Sequence, residues 1–215
     1  MTSSLPIILG VSGASGMLYA VRALHVLLSL DYCVEVVVSK AAYQVWQGEH
    51  GVLLPTDPRK QAHFWRQQAE SSGGSLVCHR WQDVGATIAS GSYRTQGMLV
   101  IPCSMGTVAK LAAGLSSDLL ERAADVQLKE GRRLVVVPRE TPFSLIHLRN
   151  LTTLAEAGAR IVPAIPAWYH QPRTILDLVD FVVVKALDQF GIDGDLIRRW
   201  QGMRQHQILK LPPDL

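Results

Sequence analysis

Short apolar runs alternate with amphipathic stretches along most of the 215-residue chain. Leu5–Val11 is a compact apolar run with β-branched residues and ends in a glycine-rich turn, which predicts a buried strand. Met17–Leu30 follows, with Leu18, Val21, Leu24 and Leu28 at helical spacing. Cys33–Val38 reads as a second strand and Ala41–Gly48 as a second helix. An opening of strand, turn, helix, strand, helix predicts a parallel sheet covered by helices on both faces.

The pattern continues in the same alternation. A polar stretch is helical around Gln61–Ala69, Ser71–Gly74 is a loop, and Leu76–His79 is a short strand. Met98–Ile101 is a buried strand stopped by Pro102, and Leu134–Val137 another stopped by Pro138. Helices are expected over Thr107–Ala113, Leu119–Glu130 and Pro142–Ala157, the last ended by Gly158. Arg160–Val162 is a strand ended by Pro163. A loop rich in proline and aromatics runs to Pro172, and Ile175–Phe190 is a long helix. There is no internal repeat. The fold class is therefore α/β: a single-domain, Rossmann-like doubly wound parallel sheet over residues 1–200, with a C-terminal tail at 201–215.

Composition narrows the class. Charged residues make up 18% of the chain and hydrophobic ones 48%, which fits a globular domain with apolar surface to spare for self-association. A net charge of +3 without a Lys/Arg run argues against nucleic acid and suits a small anionic ligand. Cys33, Cys78 and Cys103 are too scattered for a disulfide framework or a zinc site, so no metal is expected and a cytoplasmic setting is. Residues 1–9 lack a basic segment ahead of an apolar core, and no apolar stretch is long enough to span a bilayer, so no membrane association is expected.

Three predicted strands end in loops with unusual chemistry: Gly10–Gly16, Pro102–Thr107 and Pro138–Pro142. Ligands of open parallel sheets bind beyond the strands' carboxyl ends, so topology alone brings these loops to one crevice. The first loop has glycines that let the backbone approach a phosphate, a helix N-terminus behind them, and the Ser12 and Ser15 hydroxyls. A nicotinamide site would want an acidic residue after the second strand, where the chain has Ser39 and Lys40, although Lys40 suits a 2′-phosphate. In the second loop Ser104, Gly106 and Thr107 sit where a helix begins, and either bind an anion or amide or simply cap the helix. In the third, Arg139 suits a phosphate or flavin carbonyl, while Glu140 either pairs with it or serves as acid or base. Cys103 reads as a small buried residue, and His147 and His170 as structural. Arg122 and Lys129 share one helix face. Lys185 interrupts an apolar helix, and Trp168, Tyr169 and Trp200 offer π faces to a cation or to a subunit interface.

Together the stretches Gly13–Gly16, Ser39–Ala41, Ser104–Thr107, Leu120–Lys129, Val137–Pro142 and Pro166–Pro172 resemble the UbiX-type flavin prenyltransferases, with similarity from about Ile7 to Trp200. The resemblance implies a flavodoxin-like Rossmann fold. It implies FMN held by Gly13, Ala14, Ser15, Ser39, Ser104, Met105, Gly106, Thr107 and Arg139, with Ser90 and Gly91 near the isoalloxazine. It implies dimethylallyl phosphate held by Tyr169 and Lys185, with Arg122, Lys129 and Arg139 near its phosphate, and Trp200 is counted with them as a substrate-binding candidate for its π face. Ser15, Glu49 and Glu140 match positions beside the reacting flavin. The reaction implied is metal-independent transfer of the dimethylallyl group to N5 and C6 of reduced FMN. The prenylated FMN would go to a UbiD-type decarboxylase, and a homododecamer would bring some site residues from neighbouring subunits. An FMN carrier and a flavin-dependent decarboxylase of the same fold are the alternatives.

Overall fold

The computed structural model describes residues 5–200 and 202. Six parallel strands form one sheet: β1 (Ile7–Val11), β2 (Cys33–Val38), β3 (Ser75–His79), β4 (Gly97–Cys103), β5 (Arg133–Pro138) and β6 (Arg160–Ile161). Their order across the sheet is β3-β2-β1-β4-β5-β6. This is the doubly wound arrangement expected, the flavodoxin order with β3 added at one edge. The chain reverses its direction of travel across the sheet between β1 and β4, and the crevice opens there.

Both sheet faces are buried, which explains why the strands read as unbroken apolar runs. On one face, α1 (Met17–Ser29), α2 (Lys40–His50), α3 (Pro58–Gln68) and α7 (Ile175–Asp188) pack on alternate strand residues such as Leu9, Val36, Leu99 and Val137. On the other, α4 (Met105–Ala112), α5 (Leu119–Lys129) and α6 (Leu145–Glu156) cover Ile8, Val37, Val100 and Val136. Each such side chain, fully buried, is worth about 1.5–3 kcal/mol. Two ionic residues are spent on packing rather than chemistry. Arg22 of α1 grips Asp180 of α7 through two hydrogen bonds, Nε to Oδ1 at 2.5 Å and Nη2 to Oδ2 at 3.0 Å.

Two expected boundaries move most. Pro102 does not stop its strand, which runs on to Cys103, whereas β5 does end at Pro138. The β4–β5 register shifts between Val100 and Cys103, and a proline without an N–H is tolerated where the ladder is already irregular. The helix expected from Pro142 begins at Leu145, because Ser144 caps it in a capping box closed by His147. A one-turn 3-10 helix at Thr87–Ala89 was not anticipated. Apart from Gly202, the predicted tail at 201–215 lies outside the described residues. No helix among the described residues is long and apolar enough to cross a membrane.

Replacing Asp180 by Ala leaves the Arg22 guanidinium without its partner and is expected to destabilise the fold by about 3 kcal/mol. The double variant Arg22→Met/Asp180→Leu, which removes both charges, is expected to cost less. Urea unfolding midpoints compare the two.

Candidate functional site

The crevice at the β1/β4 switch point is a cavity of about 510 Å³, lined among others by Gly13, Ser39, Lys40, Ser104, Gly106 and Thr107. Each wall has a local cause. Gly13 approaches α2 so closely that a Cβ there would lie 2.5 Å from the Ala41 Cβ. Gly16 adopts φ +104°, a left-handed conformation that turns the chain into α1. The Ser39 and Ser104 hydroxyls cap α2 and α4, accepting from Ala42 N at 3.4 Å and Thr107 N at 3.2 Å, and Ser104 Oγ also lies 3.0 Å from Thr107 Oγ1. The N-termini of α2 and α4 thus point their partial positive ends at one cavity. The capping reading and the ligand reading of these serines both stand, because each hydroxyl lines the cavity and retains acceptor capacity.

Ser12 differs from the expectation that it would offer its hydroxyl to a ligand. It is fully buried, donates to the Pro102 carbonyl at 3.2 Å and accepts from Ser104 N at 2.7 Å. It holds the first and second loops together. Arg139 performs the same service for the third loop: its Nε donates to the Ser15 carbonyl at 3.0 Å and its backbone N–H to the Cys103 carbonyl at 3.1 Å. Arg139 and Glu140 form no ion pair with each other. Glu140 instead accepts from Thr141 N at 3.1 Å. Both line a smaller cavity of about 220 Å³ with Phe143 and Ile165, so the Arg139–Ser15 contact joins that cavity to the loop of the main crevice.

Glu49 is brought in from the far end of α2. Its carboxylate accepts from Gly16 N at 2.7 Å and Met17 N at 2.9 Å, filling the N-terminus of α1, and the nearby Ser15 hydroxyl helps stabilise its charge. Burial alone would raise its pKa, but these hydrogen bonds outweigh burial and hold the carboxyl below its ordinary value. Cys103 is fully buried, and burial pushes its thiol up to about 12, which leaves it no part as a nucleophile.

The remaining expected residues do not line this crevice within one chain. They fall into two other groups. Ser90 and Gly91 pack on the end of α5, where Lys129 contacts Glu130, and Arg122 on the same helix lies 3.2 Å from Asp125. Tyr169 stands edge-on to Trp200 (ring centroids 5.6 Å apart) and to Phe181 (5.8 Å), and Lys185 Nζ sits 5.8 Å from the Phe181 centroid. His170, read as structural, stacks on Phe181 and places Nε2 3.3 Å from the Asp177 carbonyl. Sequence reasoning missed Gln44, Lys110, Asp118 and Glu121 in the main cavity. Gln44 lies one turn beyond Lys40 and was legible by helical spacing. Lys110 was not, since it reaches the cavity through a 2.5 Å ion pair with buried Glu121, across two helices.

Comparison with known proteins identifies the arrangement. A family model described as Flavoprotein matches residues 1–187. The flavin prenyltransferase UbiX of Synechocystis sp. is 70% identical over 198 residues, covering 92% of this chain and 96% of that one. The chain belongs to the UbiX family of flavin prenyltransferases. The Pseudomonas aeruginosa member is 44% identical over 194 residues, covering 90% and 93% of the two chains. A crystal structure of AnUbiX in complex with FMN and dimethylallyl pyrophosphate superposes with TM-score 0.82 at 37% identity, over 94% of this chain and 100% of that one. A dodecameric FMN-dependent UbiX-like decarboxylase from Escherichia coli O157:H7 superposes with TM-score 0.80 at 42% identity, over 92% and 100% of the chains.

The depressed pKa of Glu49 has a defined consequence for UbiX-family chains that share this cap. The unfolded carboxyl, at an ordinary value near 4.5, takes up a proton before the folded one does. The cap's contribution is therefore complete above that pH and is lost as pH falls through the lower folded value. Glu49→Gln is expected to unfold at lower urea concentration than the wild type at neutral pH, with the gap closing below pH 4.5.

Proposed function

We propose that this chain transfers the dimethylallyl group of dimethylallyl phosphate to N5 and then C6 of reduced FMN, giving prenylated FMN and inorganic phosphate. The observation that carries the reading is the switch-point crevice itself. Two helix N-termini, the hydroxyls of Ser39, Ser104 and Thr107, and the cations Lys40 and Lys110 surround a cavity with room for a phosphorylated ribityl chain. Gly13, Ala14, Ser15, Met105, Gly106 and Arg139 complete that binding surface. These residues fit FMN: backbone N–H groups and hydroxyls suit its phosphate and ribityl oxygens, and Arg139 stands where a flavin carbonyl would be gripped.

Reduced FMN supplies the nucleophilic ring atoms, and the chain supplies placement and charge. Arg139, with Arg122, Lys129 and Lys185, neutralises the departing phosphate, so that ionisation of the allyl C–O bond needs no metal. The faces of Tyr169 and Trp200 stabilise positive charge developing on the allyl carbons. Glu49 fixes the Ser15 hydroxyl at the flavin edge, and Glu140 moves the protons lost from N5 and C6. Ser90 borders the isoalloxazine. Because Arg122, Lys129 and Ser90 occupy one surface and the crevice another, neighbouring copies complete each site. The exposed apolar residues Ile146, Ile165 and Trp168 (65–67% exposed) support such assembly, and a homododecamer is the proposed form. A UbiD-type decarboxylase is the proposed recipient of the product.

Anaerobic incubation with reduced FMN and dimethylallyl phosphate is expected to yield a flavin heavier by one C5H8 unit in mass spectrometry. Bound flavin of unchanged mass would instead indicate a carrier, and parallel reactions with the diphosphate decide the donor. Glu140→Gln is expected to keep FMN affinity while slowing adduct formation about a hundredfold. Complete loss of FMN binding would contradict its assigned role. Lys129→Ala is expected to raise the KM for dimethylallyl phosphate about tenfold, and unaltered kinetics would make it a surface lysine.

A further inference from the structure

The most heavily buried ionic cluster outside the crevice has no part in the chemistry above. Glu35 lies mid-strand on β2, on the sheet face that also buries Val37. A carboxylate sequestered there is costly unless its oxygens are fully used. They are: Oε2 lies 2.7 Å from Nε2 of His79 on β3, and Oε1 accepts from the Tyr93 hydroxyl. Burial would raise the Glu35 pKa, but the bonds from His79 and Tyr93 outweigh it and the group sits below its ordinary value. The same carboxylate pushes the Tyr93 phenol up to about 12, so the phenol stays a donor at any working pH.

Tyr93 is the last residue of the tight turn Ser90–Tyr93, closed by Tyr93 N donating to the Ser90 carbonyl at 3.2 Å. The turn is held at three further points. Arg132 donates to the Gly91 carbonyl and, at 2.7 Å, to the Tyr93 carbonyl. Thr95 Oγ1 donates to the buried Gln127 of α5 at 2.8 Å. Gly91 packs on the side chains at the end of α5, where a Cβ would collide with Glu130 Oε1 and lie 2.7 Å from Lys129 Nζ. The outer clamps attach the turn to α5 and to Arg132 in the loop that follows it, while among the described residues Glu35 is the side chain that anchors it to the sheet.

We infer that Glu35, with His79 and Tyr93, is a positioning group that fixes the turn Ser90–Tyr93 against the end of α5 and so presents Ser90 and Lys129 as one rigid surface to the reactants of a neighbouring copy. This rests on the proposed function, which places Ser90 and Lys129 at the flavin and the substrate phosphate. An apolar contact in place of the carboxylate would fill the space without setting direction. The bond from Tyr93 to the carboxylate, itself held in place by His79, sets the position of the turn.

Tyr93→Phe tests this, since it removes one donor and keeps the ring packed. With reduced FMN saturating, the KM for dimethylallyl phosphate is expected to rise about tenfold while kcat changes less than about twofold. Glu35→Gln retains an acceptor for the phenol and is expected to fall between Tyr93→Phe and the wild type. A lowered thermal midpoint with KM and kcat both unchanged in Tyr93→Phe would make the cluster purely structural and overturn the inference. Ser90→Ala and Lys129→Ala are measured beside it. If both raise KM and Tyr93→Phe does not, positioning is wrong and the proposed function stands. If neither changes KM, the surface has no part in the reaction, and both the inference and that part of the proposed function fall.

Discussion

One buried hydroxyl holds the crevice in shape. Beyond Gly10 and Val100, the last paired residues of β1 and β4, Ser12 joins the two loops. Its backbone N–H donates to the Pro102 carbonyl at 3.2 Å, and its hydroxyl donates to the same carbonyl and accepts from Ser104 N. The loop after β1 and the start of α4 are thereby set relative to each other, and a phosphate meets a fixed row of N–H groups instead of a mobile one. Preorganisation of this kind matters because helix N-termini act on an anion only over their first turn.

The chain handles its charges in two distinct ways. Inside, they are paired to completion: Arg22 with Asp180, Glu35 with His79 and Tyr93. These groups spend their electrostatics on holding elements together, and removing one partner strands the other in a poor dielectric. Near the surface, Arg122, Lys129 and Lys185 have only half-exposed or neighbouring acidic partners, Asp125, Glu130 and Asp188. Such pairs are weak and exchange readily for a phosphate. A single chain leaves the second kind on separate surfaces, and in the proposed function assembly gathers them. Exposed apolar side chains on α6 and the Pro163–Pro172 loop are available for such contacts.

The sheet and its helices were legible from the residues because both faces of a parallel sheet are buried. That constraint writes itself into the chain as short β-branched runs separated by amphipathic segments, and Ile7–Val11, Cys33–Val38 and Leu134–Val137 follow it with the single charged exception of Glu35. The loops after β1 and β4 were legible as a crevice because strand direction alone sends them to one edge, while the loop after β5, expected at the same crevice, lines a smaller cavity beside it. The family resemblance carried by Gly13–Gly16, Ser104–Thr107 and Val137–Pro142 named the chemistry. What depends on contacts between distant residues was not written locally. No spacing rule says that Ser12 turns inward while Ser15 stays exposed, that Glu49 reaches back to cap α1, that Arg139 binds a carbonyl and leaves Glu140 to Thr141, or that Pro102 lies inside its strand. Sequence determines which elements form, because burial periodicity is a local property; only the tertiary structure decides which polar atom satisfies which, because hydrogen-bond partners are chosen by proximity in space.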